Sequence, residues 1–374
     1  MRVLHIFTFA IAIFLSVDAL PYDKPIVLTI PLKPKSITHR RISRRAIGTM
    51  PLHQDKAYYG QITFGTGTPQ NFDIQFDTGS GALFVVGKNC TAPACNHMPN
   101  KYDPDVDKSF SLIVGKHFGI KYVDGTEAQG DSGKTTIVIA GIPVEAQEFG
   151  LVDEVTDNFK HSYEGVMGME ISDSSGNQQT TPITNLINNN TLDKPQFSFL
   201  LGREDDQSPS ELIIGGSNPD RYRNDSLTFT HVVDNNFGAW EIPIDDCIVD
   251  GIYLNLEGHT VYVDTGAEYI VMPINDAREF YSNIPNAVEY PNGFFTIDCE
   301  EEYEVGLAFS GTTWYMDSRD FAIEVSENVC IGAVISSNTG SETKWIIGSA
   351  FLKNVYTIFD QGNRQVGFAQ LRYS

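Results

Sequence analysis

The sequence predicts an all-β protein of two lobes, and three observations carry this prediction. The chain has 374 residues, 41% of them hydrophobic, which is typical of a globular protein too long for one ordinary core. Beyond residue 46, short β-rich runs alternate with Gly, Pro, Asn and Asp, as in antiparallel strands joined by turns. An Asp-Thr-Gly triplet also occurs once in each half of the chain. The repetition indicates two related units.

Local patterns predict the individual elements. The predicted strands lie at 59–64, 71–76, 82–86, 118–123 and 135–139, and 240–244 is also strand-like. Helices are few: Thr181-Pro182 supplies a capping side chain and a first-turn proline for a helix over 183–187. The segments 275–282 and 349–354 are the other helical candidates. We expect lobes over 46–224 and 225–374.

The first 19 residues are typical of a secretory signal peptide. Arg2 precedes an apolar run over 4–15, and small side chains follow up to Ala19. The alternative is a membrane anchor, but the run is shorter than the roughly 20 apolar residues that span a bilayer, and no later segment is long enough. We expect a secreted protein, with the vacuole or lysosome as the second choice.

Residues 20–45 form a basic leader before an acidic body. They contain seven Lys and Arg residues against the single acid Asp23, although the whole chain has a net charge of -22. The leader ends in Arg44-Arg45, and a cut after Arg45 would expose Ala46. We expect a propeptide that inhibits by occupying an acidic cleft; the alternative is a basic linker without function. The acidic charge disfavours nucleic acid and anionic membranes as partners.

Five cysteines fit the oxidising compartment that secretion implies. We expect Cys90 to pair with Cys95 and Cys299 with Cys330, although spacing alone leaves other pairings open. Cys247 is then left over and is expected to be a buried thiol. Three Asn-x-Ser/Thr motifs are candidate glycosylation sites, at Asn89, Asn189 and Asn224.

The two Asp-Thr-Gly triplets share a wider pattern. The first is Asp-Thr-Gly-Ser at 77–80, followed by an apolar segment with glycine at 165–168. The second is Asp-Thr-Gly-Ala at 264–267, followed by a similar segment at 345–348. One such triplet is compatible with an ordinary turn. Two triplets with matching partner segments indicate a duplicated functional unit centred on Asp77 and Asp264.

With these motifs the chain resembles the pepsin family of aspartic endopeptidases, from about residue 58 to 368. The likeness includes both triplets, a flap-like segment at 120–126, Trp240 and the closing segment at 358–369. It implies two β-barrel-like lobes related by a pseudo-twofold axis, with a cleft between them for an extended peptide. Within the family, we expect the chain to be most similar to the secreted aspartic proteases of fungi. The expected disulfides match that family. The resemblance implies a monomer that acts on proteins or peptides without metal or cofactor.

In this family two carboxyl groups share one proton. Hydrolysis without a covalent intermediate needs a base that activates water and an acid that protonates the carbonyl oxygen. Two carboxyls held close together cannot both ionise, so the pair supplies both groups, as is known for aspartic proteases. The resemblance assigns these roles to Asp77 and Asp264.

The resemblance also implies roles for the neighbouring residues. Thr78 and Thr265 would bond to the opposite loop, while Gly79 and Gly266 would let backbone amides approach the carboxylates. Ser80 can donate to Asp77.

Tyr122 would lie on a flap that closes over substrate, with Asp124 and Gly125 at its tip. We expect Asp124 to pair with a lysine side chain of the substrate next to the scissile bond. The alternative is that Asp124 is an ordinary turn aspartate.

Three positions depart from the family pattern. Phe84 stands where most relatives have Trp, and it lacks the indole N–H that would bond to the flap tyrosine. Val123 replaces a flap Gly. Ala267 replaces the usual Ser or Thr, so a hydrogen-bond donor beside Asp264 is missing, and we expect activity at less acidic pH than that of pepsin.

Two other functional classes are disfavoured. A binding module with this fold but no activity would not need both aspartates, both threonines and the flap tyrosine. A metal-dependent hydrolase would need a ligand cluster such as His-Glu-x-x-His, which the sequence lacks. Serine and thiol proteases are disfavoured because there is no Gly-x-Ser-x-Gly motif and Cys247 has no recognisable partner set.

Overall fold

A computed structural model describes residues 46–54, 57–122, 125–157, 159, 163–171, 179–203, 205–235 and 237–372. The predicted signal peptide and propeptide, including Arg45, lie outside the described residues. Within them the protein consists mainly of strands, with four short α-helices and two 3₁₀ helices. The all-β prediction is confirmed.

Twelve strands lie before residue 232: β1 (Gly48–Pro51), β2 (His53–Gln54), β3 (Tyr58–Phe64), β4 (Gln70–Asp77), β5 (Leu83–Val86), β6 (Ser111–Lys121), β7 (Glu127–Ile139), β8 (Ile142–Val155), β9 (Gly165–Gly168), β10 (Gln196–Leu200), β11 (Glu211–Ile214) and β12 (Thr228–His231). Fifteen follow: β13 (Glu241–Pro243), β14 (Asp246–Val249), β15 (Ile252–Tyr253), β16 (Thr260–Val263), β17 (Ile270–Met272), β18 (Val288–Glu289), β19 (Phe295–Ile297), β20 (Val305–Phe309), β21 (Thr312–Tyr315), β22 (Ala322–Ser326), β23 (Val329–Gly332), β24 (Val334–Ser336), β25 (Lys344–Ile347), β26 (Val355–Asp360) and β27 (Gln365–Gln370). The helices are α1 (Pro182–Asn188), α2 (Ile274–Ser282), α3 (Ser318–Phe321) and α4 (Ser349–Leu352), and the 3₁₀ helices are Pro93–His97 and Asn224–Ser226.

The first half of the chain forms an eight-stranded sheet in the order β2-β3-β4-β9-β5-β8-β7-β6. Most of its pairs are antiparallel, but β5–β8 and β4–β9 are parallel, and in the latter Asp77 lies opposite Gly168. In β3 every second side chain is buried, which is the pattern of a strand with one face on the core. The sheet therefore has an inner apolar face, and β4 delivers Asp77 at its carboxyl end.

The second half forms three smaller sheets. The five-stranded sheet has the order β13-β16-β25-β17-β24, and its β16 and β25 are parallel, with Val263 opposite Ile347. Two four-stranded sheets have the orders β15-β14-β20-β21 and β18-β19-β23-β22. The parallel pair β16–β25 corresponds to β4–β9 in the first half. The duplication seen in the sequence is thus also a duplication of strand pairing.

A six-stranded sheet joins the two halves, in the order β1-β11-β10-β26-β27-β12. At its centre Phe197 of β10 lies opposite Phe359 of β26, and their rings stack with centroids 4.9 Å apart. Because this sheet draws strands from both ends of the chain, the division at residue 224 stays a prediction.

The predicted elements are present with shifted ends. Two strands differ most: the flap strand, predicted at 118–123, spans Ser111–Lys121, and the strand predicted at 135–139 begins at Glu127. Helix α1 begins where predicted, because the Thr181 side chain accepts a hydrogen bond from the Thr184 amide at 2.8 Å and Pro182 occupies the first turn. The one-turn helix α3 was not predicted, since four residues are too few for a periodic pattern.

The structure contains two disulfides, Cys90–Cys95 and Cys299–Cys330. Cys247 is a buried free thiol, and burial raises its pKa above the ordinary thiol value. The three candidate glycosylation residues Asn89, Asn189 and Asn224 are all exposed. Among the helices that the structure describes, none has the length and hydropathy to span a bilayer.

Candidate active site

Two equivalent loops bring Asp77 and Asp264 together at the junction of the halves. Asp77 is the last residue of β4, and Asp264 directly follows β16. The backbone of each is fixed by the neighbouring segment: the Met169 amide donates to the Asp77 carbonyl at 2.6 Å, and the Asp264 amide donates to the Ile347 carbonyl at 3.0 Å. The backbone position of each aspartate at the end of its strand is therefore fixed.

The two threonines bond the loops to each other. The backbone amide of Thr78 donates to Thr265 Oγ1 at 3.1 Å, and the amide of Thr265 donates to Thr78 Oγ1 at 2.9 Å. Each hydroxyl then donates across the junction, Thr78 to the Val263 carbonyl and Thr265 to the Phe76 carbonyl, both at 2.7 Å. All four bonds are buried, where unpaired groups are costly. This reciprocal network holds two carboxylates together that would otherwise repel.

The two glycines make room for the opposite aspartate. Gly79 donates its amide to Asp77 Oδ1 at 2.9 Å, and Gly266 donates to Asp264 Oδ1 at 2.8 Å. A Cβ atom on Gly79 would lie 2.3 Å from the Asp264 carboxyl carbon, and one on Gly266 would lie 2.4 Å from Asp77 Oδ1. Real Cβ contacts are not that short. Each glycine thus donates a hydrogen bond to the aspartate of its own loop and packs against the aspartate of the opposite loop.

The loops differ in their side-chain donors. Ser80 donates its hydroxyl to Asp77 Oδ2, but Ala267 at the matching position has only a methyl group and is 2% exposed. Asp264 Oδ2 is buried and accepts no hydrogen bond from the part of the chain that the structure describes. Negative charge is consequently better supported on Asp77 than on Asp264.

Burial raises the pKa of both aspartates, which are 2% and 0% exposed. For Asp77 the hydrogen bonds from Ser80 and the Gly79 amide oppose burial. For Asp264 the charge of Asp77 adds to burial, so its pKa lies well above the ordinary carboxyl value. Two buried carboxyls with shifts of unequal size are typical of a pair that shares one proton.

The flap residue Tyr122 lies at the turn between β6 and β7. Its amide donates to the Thr126 carbonyl at 2.7 Å, and the Gly125 amide donates to the Tyr122 carbonyl at 3.1 Å. Gly125 has φ of 84°, which favours glycine. Tyr122 is buried in an apolar cluster with Phe84 and its neighbours. Val123 and Asp124 lie outside the described residues.

Phe84, the replacement for tryptophan, is an aromatic centre of that cluster. Its ring lies 5.8 Å from Phe118 of the flap strand and 5.9 Å from Phe159. The described part of the flap therefore packs on this ring instead of bonding to an indole.

Comparison with known proteins decides the family. A family profile, "Eukaryotic aspartyl protease", matches residues 57–371. The chain is a member of the eukaryotic aspartyl protease family. An aspartic protease of Phaffia rhodozyma is 29% identical over 90% of this chain and 83% of its own length. Cathepsin E-B of Xenopus laevis is 30% identical over 85% and 80%, and human cathepsin D is 29% identical over 85% and 81%.

The protein is thus a pepsin-like aspartic endopeptidase, a hydrolase, and the family has the two-lobed all-β fold that the sequence predicts. Sequence reasoning gave Trp240 no role in this aspartyl protease. Its indole N–H donates to the Met169 carbonyl at 2.7 Å, and Met169 in turn bonds the Asp77 backbone. Trp240 therefore supports the first loop from the second half, a nonlocal contact without a local sequence signal.

No group of three or more His, Cys, Asp or Glu side chains within the described residues is arranged to hold a metal ion.

Proposed function

We propose that Asp77 and Asp264 are the catalytic pair, with Asp77 holding the negative charge and Asp264 the shared proton in the resting enzyme. The observation that carries this proposal is the unequal hydrogen bonding of two buried carboxyls: Ser80 and Gly79 donate to Asp77, while Asp264 Oδ2 receives no donor from the described residues. Hydrogen bonds to the ionised form stabilise the charge.

The reaction uses the pair in two steps. Asp77 takes a proton from water as the water oxygen bonds to the substrate carbonyl carbon, and Asp264 gives its proton to the carbonyl oxygen. The resulting diol then collapses: the C–N bond breaks, the nitrogen takes the proton from Asp77, and one diol hydroxyl returns a proton to Asp264. Charge and protons balance, and no covalent intermediate with the enzyme forms.

The test is to replace each aspartate with asparagine, which preserves shape and removes charge. We expect Asp77→Asn and Asp264→Asn each to lower kcat by at least about 10³-fold, with circular dichroism like that of the wild type. Substantial activity of either purified, folded variant would overturn the mechanism.

The protein is further proposed to be a secreted zymogen that acts as a monomer. The signal-like segment 1–19 and the basic segment 20–45 support this, and the described chain is bound into the fold from Ala46 onwards: its amide donates to the Thr191 carbonyl at 2.7 Å. At acid pH, protonation of carboxylates weakens their pairing with the basic leader. N-terminal sequencing of secreted protein tests the cut; a mature chain that starts far from Ala46 contradicts it, and an unprocessed but fully active chain contradicts inhibition.

The proposed substrates are proteins and peptides with large apolar residues beside the scissile bond, and lysine is accepted there through Asp124. The apolar cluster around Tyr122 supports the first preference, and the place of Asp124 in the sequence, two residues after Tyr122, supports the second. The test compares wild type with Asp124→Ser on peptides that differ only in lysine or norleucine at that position. Equal discrimination against lysine by both enzymes would refute the role of Asp124.

A further inference from the structure

Gln75 is a buried polar residue beside the first of the two aspartates. It precedes Asp77 by two positions in β4, so the two side chains lie on the same face of the sheet. Its neighbours across the sheet are Tyr59 of β3 and Val166 of β9, and Val166 lies opposite Phe84 of β5. Gln75 is 4% exposed. An amide at this depth, beside aromatic and aliphatic side chains, needs a hydrogen-bond partner.

The partner of the Gln75 amide belongs to the other half of the molecule. Gln75 Nε2 donates to the Gly266 carbonyl at 3.4 Å, and within the described residues it is the only donor to that carbonyl. The matching residue two positions before Asp264 is Tyr262, which bonds within its own sheet, where its hydroxyl accepts a hydrogen bond from Lys344 Nζ at 3.3 Å. A side chain of the first half therefore holds the second loop, whereas Tyr262 does not hold the first.

The bond from Gln75 fixes a peptide unit that faces Asp264. The Gly266 carbonyl and the Ala267 amide belong to one planar peptide unit, in which the C=O and N–H groups point in opposite directions. With its carbonyl on Gln75, this unit directs the Ala267 amide at Asp264, where it donates to the backbone carbonyl at 3.4 Å. Burial and the charge of Asp77 raise the pKa of Asp264, and the Gly266 and Ala267 amides oppose this rise. Since glycine restricts rotation of the peptide least, the orientation of the Ala267 amide depends on Gln75.

We infer that Gln75 is a positioning residue for the proposed reaction, which holds the Gly266–Ala267 peptide so that the Ala267 amide faces Asp264. The inference rests on the proposed function, in which Asp264 holds the shared proton. An amide that faces the carboxylate stabilises its ionised form, and the methyl group of Ala267 cannot add a donor. From the opposite half, Gln75 thus helps to set how readily Asp264 releases its proton.

The experiment is the pH dependence of kcat for wild type, Gln75→Met and Gln75→Asn. Methionine has a similar length without an N–H group, and asparagine keeps the amide but is one methylene too short to reach the Gly266 carbonyl. In both variants we expect the alkaline limb to move to higher pH by on the order of half a unit and kcat to fall about tenfold, while KM on two peptides of different sequence changes less than about twofold. Tyr262→Phe, which alters the matching position of the second half, is the control and is expected to keep the wild-type alkaline limb.

Three outcomes would overturn the inference. One is an unchanged alkaline limb in both variants, even with kcat lowered at every pH, because general loosening of the fold lowers turnover without moving the limb. Another is a change confined to KM or different for the two peptides, which would show that Gln75 acts by touching the substrate. The third is wild-type behaviour of Gln75→Asn, which would show that the reach of the amide is irrelevant.

If circular dichroism shows that Gln75→Met does not fold, Gln75→Asn and Gln75→Leu are used for the same measurement. Failure of the proposed function is separate, since it would be seen as persistent turnover in Asp77→Asn or Asp264→Asn.

Discussion

The two Asp-Thr-Gly loops share a hydrogen-bond pattern but differ in the side chains that follow it. In both, a threonine hydroxyl bonds the opposite loop and a glycine amide bonds the aspartate of its own loop. The side chains that follow differ: Ser80 and Gly81 in the first loop correspond to Ala267 and Glu268 in the second. The shared features position the two carboxyls, and the differing ones give Asp77 a side-chain donor that Asp264 lacks. In the proposed mechanism this difference makes Asp77 the base and Asp264 the acid.

Within this comparison of the loops the glycines give the largest expected effect, and they test whether the loops are equivalent. We expect Gly79→Ala and Gly266→Ala each to lower kcat/KM by about 10²- to 10³-fold, because the new methyl group displaces the opposite aspartate and small misplacements of catalytic groups are that costly. Gly216→Ala is the control, since its Cβ would meet Ile47 at an ordinary 3.4 Å. A large loss at one glycine and none at the other would break the proposed equivalence.

The threonines come next, with a readout in stability. Thr78→Val keeps shape but leaves the Val263 carbonyl and the Thr265 amide without their buried partner. Each unpaired buried group costs about 1–3 kcal/mol, so we expect the free energy of unfolding to fall by ~2–4 kcal/mol. Thr265→Val is expected to match it. Chemical denaturation of both variants checks this, and a difference above about 1 kcal/mol would show that the network is one-sided.

The two halves can also be compared by how one aspartate in each contributes to stability at acid pH. Asp107 is buried and accepts hydrogen bonds from Tyr102 and Ser109, among others. Burial opposes its ionisation, but these bonds outweigh it and lower its pKa to about 2. Because the folded pKa lies below the unfolded value, Asp107 stabilises the fold above about pH 4, and the contribution is lost as pH falls through about 2.

We therefore expect Asp107→Asn to lower the free energy of unfolding by about 2 kcal/mol at pH 5 and by much less at pH 2. Asp317 in the second half also has a pKa of about 2, caused mainly by Arg319, but its side chain is 34% exposed. Asp317→Asn should cost less than about 1 kcal/mol and should lose its effect in high salt. Unfolding curves of both variants at pH 5 and pH 2 test these expectations. If the two variants lose the same free energy of unfolding and both losses shrink in high salt, the distinction between the buried and the partly exposed aspartate is wrong.

The smallest expected effect is a shift in pH profile. Ala267→Thr adds a donor beside Asp264, and a hydrogen bond to the ionised form lowers a carboxyl pKa. In the plot of turnover against pH, the alkaline limb should then move to lower pH by on the order of one unit, equal to about 1.4 kcal/mol. Ser80→Ala removes the matching donor from Asp77, so its acid limb should move to higher pH. An unchanged alkaline limb in Ala267→Thr, or one displaced upward, would show that the missing hydroxyl is irrelevant.

The meeting of the two Asp-Thr-Gly loops could be predicted because each loop is marked by a local motif that is repeated. Asp77 and Asp264 each lie in a short motif after apolar residues, so the motif, its duplication and the family likeness together indicated one site. The Arg203–Asp320 pair joins residues 117 positions apart, and the donors to Asp107 come from separate elements. Such contacts depend on how sheets pack, which no local pattern encodes. The flap strand was predicted too short because Gly115, Lys116 and His117 interrupt the apolar pattern before Phe118, although the strand continues through a register shift and Ser111 and Leu112 pair with β7.

The six-stranded sheet constrains how this chain can reach its native state. Its strands come from both ends of the sequence: β1 starts at Gly48, and β27 ends at Gln370. During synthesis the sheet cannot close until β27 has left the ribosome. Pairings of such long sequence separation form slowly, and the incomplete sheet exposes apolar edges in the meantime. Once closed, the same sheet ties the two halves together, so neither half is expected to fold to its native form when expressed alone.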